Sequence, residues 1–86
     1  MIRAKMKDTF WKVVQDCLVQ FHDFTPAKAR TACKTFRDAS ESWPYGAGKM
    51  VYHDEPFRVA CELAGRPLEQ SEYLDPYLAI LEAGGW

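Results

Sequence analysis

The chain has 86 residues, 48% hydrophobic, with five Phe, four Tyr and three Trp and a formal net charge of −1. That length suits one domain over residues 1–86, and the apolar content excludes a disordered chain. The near-neutral charge excludes a polycation held to its partner by charge alone, no apolar run approaches the ~20 residues of a membrane span, and MIRAKMKD lacks the apolar core of a signal peptide.

The first helix is predicted over about Asp8–His22, with Asp8 as N-cap and Met1 to Lys7 either frayed or an extension of it. Phe10, Val14, Cys17, Leu18 and Phe21 form one face at 3.6-residue spacing, flanked by Trp11 and Val13. Asp23 and Phe24 make a short connection. Thr25-Pro26 is a cap followed by proline at the first helical position, so the second helix runs from Pro26 to about Ser40. Ala29, Cys33 and Phe36 are its core face, and Phe24 is placed to staple onto Ala29.

Glu41 to Lys49, ESWPYGAGK, holds three chain breakers in nine positions and reads as a loop. Met50 to Tyr52 is compatible with a short extended piece. The next stretch, VYHDEPFRVACELAGRP, is the most strongly specified in the chain and the expected centre of the fold. Asp54 is its expected cap, Pro56 sits in the first turn, and Gly65 and Pro67 end it. Phe57, Ala60, Cys61 and Ala64 share one face, Val59 and Leu63 a second, and Arg58 and Glu62 are left to water. Leu68–Leu74 suits a short helical turn. Asp75-Pro76 starts a last helix to about Ala83, with Leu74, Tyr77, Leu78 and Leu81 on one face, and Gly84-Gly85 ends it. The expected fold is all-α, a small single-domain bundle of four to five short helices.

None of the chemical motifs is complete. Gly46-Ala47-Gly48-Lys49 resembles the end of a P-loop, but Trp43 stands at the first glycine position and Met50 at the magnesium ligand. His53-Asp54-Glu55 has the H-x-E of zinc deaminases without the following cysteine pair. His53 and His22 are the only histidines, and no spacing completes a zinc site. Cys61, eight residues after His53 and on an apolar face, lacks the electropositive setting of an activated thiolate. The reading is therefore not an enzyme, with no cofactor, no metal and no catalytic residues. The three cysteines all fall at core spacing and suit a reducing, cytoplasmic compartment.

Charge is unevenly spread. Residues 25–40 hold four bases against one acid, and residues 41–86 three bases against eight acids. Arg30, Lys34 and Arg37 recur at i, i+4 and i+7 as a basic stripe on the second helix. They are the expected contact to phosphates if the partner is a nucleic acid; the plainer reading is ion pairing inside the domain with the acidic C-terminal half. The surplus of aromatics, with Trp43, Tyr45 and Trp86 as interface candidates, favours a protein partner or a second copy of the chain. The leading expectation is a small cytoplasmic protein-interaction or regulatory module, the alternative a nucleic-acid-binding protein. Neither reading involves a membrane.

Overall fold

The computed structural model describes residues 4–43, 52 and 54–85, with side chains from residue 7 onward. Among the described residues are four α-helices: α1 (Ala4–His22), α2 (Pro26–Glu41), α3 (Pro56–Ala64) and α4 (Leu74–Ala83). A 3-10 turn at Gln70–Tyr73 runs straight into α4, and no strand occurs among the described residues. The fold is the all-α bundle that the apolar spacing predicts.

The hub is α1, not α3. It packs against each of the other three helices. At 19 residues it is the longest, and Phe10, Trp11, Val13, Val14, Cys17 and Leu18 are all buried along it. With nine residues, α3 spans only about 14 Å. It is nevertheless buried on several sides, with Pro56, Phe57, Val59, Ala60 and Cys61 inside and Arg58 and Glu62 exposed, as its pattern requires. Asp8 is not the cap of α1, which extends back to Ala4. Asp8 lies inside the helix, because Ala4 to Lys7 contains no residue that stops it.

Local chemistry explains most of the helix ends. Thr25 caps α2 by accepting from the Lys28 amide at 3.2 Å, with Pro26 behind it. At the end of α3, Gly65 adopts φ 65°; its amide donates to Glu62 O and that of Arg66 to Cys61 O, the paired bonds of a Schellman motif. The chain leaves α1 through Asp23 at φ 59°, a left-handed conformation that aspartate tolerates better than most residues. The Phe24 amide then donates to Leu18 O.

Two caps differ from expectation. Asp54 does not cap α3; Glu55 holds that position without a side-chain bond of its own to the helix. The Asp54 carboxylate accepts instead from the Glu55 amide at 2.9 Å. The cap comes from α4: the buried Tyr77 hydroxyl accepts from the Phe57 amide at 3.4 Å and donates to Glu55 Oε2 at 2.8 Å. Burial, aided by the carboxylate, pushes the Tyr77 phenol above its ordinary pKa. Nor does Asp75-Pro76 begin α4, since the 3-10 turn has already set helical backbone and places both residues in the first turn. The buried face of α4 is Tyr77 and Ile80, with Leu81 partly covered, whereas Leu74 and Leu78 are 44% and 51% exposed.

The aromatics knit the core. Trp11 Nε1 donates to Tyr52 Oη at 3.0 Å, and Phe10 meets both rings edge-on. Tyr52 sits in a 3-10 turn rather than an extended piece; Met50 and Val51 lie outside the described residues. Phe57 contacts Phe21, Tyr73 and Tyr77. Cys17, Cys33 and Cys61 are free and buried, one from each of α1, α2 and α3.

Candidate functional site

Three helices frame an open groove of about 440 Å³. Its floor is the Gln15, Asp16, Val19 and Gln20 side of α1. One wall is the start of α2, with Pro26, Ala29 and Arg30. The other is α4, where Pro76, Ala79, Ile80 and Ala83 follow i, i+3, i+4, i+7 spacing and so form one stripe. Small side chains on both walls leave room for another backbone to come close. Val19, 37% exposed, is the apolar centre of the floor.

Two charges border this groove. Asp16 is paired with Lys12 at 3.7 Å. Arg30 is exposed and makes no ion pair among the described residues. Sequence periodicity did not single out the groove. Its signal in the sequence is the Pro76–Ala83 stripe, which lies beside the buried Tyr77 face and contains no large side chain except Ile80.

The basic stripe of α2 lines a second, smaller depression of about 290 Å³, floored by Trp11 and Cys33. Lys34 Nζ lies 2.7 Å from Asp38 Oδ2, a bond that raises the lysine pKa. Arg37 reaches Asp8 at 3.3 Å and Glu41 at 3.9 Å. Lys34 and Arg37 of the stripe are thus paired within the domain, by acids of α1 and α2, and among the described residues Arg30 is not. Of the acidic half, only Glu41 takes part among the described residues, because the other acids there lie on α3, α4 and the segments around them.

The interface aromatics fall differently. Trp43 is 41% exposed and stands edge-on to Phe36, with ring centroids 5.7 Å apart. Tyr45 and Trp86 lie outside the described residues. Trp11 and Tyr77 are buried and Tyr52 and Tyr73 half-buried, so these four serve the core.

Compared with protein-family models, curated proteins and solved structures, the chain finds no match.

Among the described residues, no three His, Cys, Asp or Glu side chains gather closely enough to hold a metal. His53 lies outside those residues. Burial pushes the thiols of Cys17 and Cys33 up to about 12, with Asp16 adding to the effect at Cys17, so neither is a thiolate at neutral pH. No helix among the described residues is long and apolar enough to cross a membrane.

Proposed function

We propose that this protein is a binding module that takes an amphipathic helix of a partner protein into the groove between α2 and α4. The observation that carries the reading is the open groove between three helices, with Val19 at the centre of its floor and Ala29, Ala79 and Ala83 on its walls. The chemistry of the walls selects the occupant. An extended segment brings backbone amides and carbonyls that need partners, and helix surfaces offer few. A helix satisfies its own backbone and presents only side chains, so it suits a groove formed by three helices. Arg30, without an ion pair among the described residues, calls for an acidic residue beside the partner's apolar stripe. Binding rather than catalysis, and a reducing cytoplasmic setting, accord with three free buried cysteines. Against nucleic-acid binding through Arg30, Lys34 and Arg37 stands the pairing of Lys34 and Arg37 with acids of the same domain.

Titration of ¹⁵N-labelled protein with two helical peptides tests this. Both carry leucines at i, i+3, i+4 and i+7, one flanked by Glu and the other by Lys. The Glu peptide is expected to shift the amides of Val19, Ala29, Ala79 and Ala83, more strongly than the Lys peptide, and Ala79→Glu is expected to abolish the shifts. Absence of groove shifts with either peptide, or shifts that survive Ala79→Glu, would refute the reading.

A further inference from the structure

The end of α1 carries a group that neither packing nor binding accounts for. His22 is 8% exposed, and both ring nitrogens are buried with no hydrogen-bond partner. A neutral imidazole has one donor and one acceptor, and leaving both unmet in the interior costs free energy. Protonation makes both nitrogens donors and adds a charge, which is costlier still to keep dry. We propose that His22 makes the α1–α2 corner acid-sensitive: the neutral ring stays inside at neutral pH, and protonation drives it out and loosens the turn from His22 to Pro26.

The surroundings decide the direction. Arg66, in the segment after α3, opposes a charge on the ring, while Asp23, in the turn itself, favours one. The carbonyl end of α1 also favours a cation. Burial is the largest influence and, with Arg66, outweighs these, so the His22 pKa falls below its ordinary 6.5. The unfolded or opened chain therefore takes up the proton first. The stability contributed by the neutral ring is full above about pH 6.5 and is lost as pH falls through the folded midpoint. The backbone has its own weak point here, the left-handed Asp23 and the single Phe24-to-Leu18 bond beyond it.

The corner sits beside the groove. Gln20 and Pro26, two residues before His22 and four after it, both line that groove. Acid would thus slacken one groove wall, a coupling that rests on the binding reading, whereas the acid sensitivity itself does not.

NMR titration of the two histidine side chains, assigned with a His53→Gln variant, is the first arm. Native-state hydrogen exchange of the Phe24 amide at several pH values, in the wild type and in His22→Phe, is the second. The His22 ring is expected to titrate below 6.5. Phe24 protection, corrected for intrinsic exchange, is expected to fall by up to roughly tenfold for each pH unit between the ordinary and the folded midpoint. In His22→Phe that dependence should vanish. A folded-state midpoint at or above 6.5, or an equal pH dependence in His22→Phe, would overturn the proposal. Should the variant fail to fold, the wild-type ring titration decides alone. Neither arm uses a peptide, so failure here is distinct from failure of the groove reading.

Discussion

Removing one oxygen atom tests the link between α3 and α4. In Tyr77→Phe the ring keeps its burial and its edge contact with Phe57, with centroids 5.4 Å apart, so only the hydroxyl is lost. Two bonds go with it. The bond to Glu55 is short and charge-assisted, and such bonds contribute about 1.5–3 kcal/mol. Glu55 is exposed, however, and water replaces much of what the carboxylate loses, which places this contribution at the low end. The Phe57 amide has no such recourse. It is buried and belongs to the first turn of α3, where no carbonyl of the same helix can serve it. An orphaned buried donor costs about 1–3 kcal/mol, although the present bond is long at 3.4 Å. The expected loss is about 2–3 kcal/mol in urea unfolding, or roughly 10–20 °C in melting temperature for a domain of this size. Glu55→Gln should lose less, because the amide oxygen still accepts from the hydroxyl, and the double variant should show coupling of about 1 kcal/mol. A Tyr77→Phe loss below about 0.5 kcal/mol would show that the hydroxyl is not the cap of α3.

Thiol labelling of the native protein should modify few of the three cysteines and denatured protein all of them; rapid native labelling of Cys61 would contradict its burial. Folded-state pKa values raised for Tyr77, Cys17 and Cys33 mean that the unfolded chain ionises first, so their contribution is full at neutral pH. It is lost as pH rises above the ordinary values of 9.0 for cysteine and 10.0 for tyrosine, visible as a falling urea midpoint in alkaline buffer. Combined reversal of Arg30, Lys34 and Arg37 to Glu should weaken folding modestly, since exposed pairs contribute about 0–1 kcal/mol each, and leave nucleic-acid affinity unchanged. Micromolar, salt-sensitive nucleic-acid binding that disappears in this variant would promote the alternative function.

What the sequence made legible follows from how local each cause is. The start of α2 and the end of α3 depend on Thr25-Pro26 and Gly65, neighbours in the chain, and both are placed correctly. Pro56 marks the start of α3 correctly as well, but the side-chain cap there comes from Tyr77, 22 residues after Glu55, and no local signal announces that. In α4 nearly every position is apolar or small, so 3.6-residue spacing cannot choose between the Leu74–Leu78 side and the Tyr77–Ile80 side; packing on α1 and α3 makes that choice. The basic stripe was visible as a stripe, but its partners Asp8, Asp38 and Glu41 depend on the approach of α1 and on the exact length of α2. The groove was less legible still, because it is the space that three helices leave between them. His22 stood out only as a histidine at the end of a helix.

The position of the hub in the chain has a consequence for biosynthesis. The helix on which all the others pack is made before them, and its principal neighbour α3 is completed about forty residues later. At ribosomal speeds of roughly 5–20 residues per second, α1 waits about 2–8 s for that neighbour. During this interval α2 is the one later helix available to pack on α1. A chain cut short before Pro56 would therefore present a sticky, half-covered hairpin to chaperones, whereas one from which α3 has emerged can bury that surface.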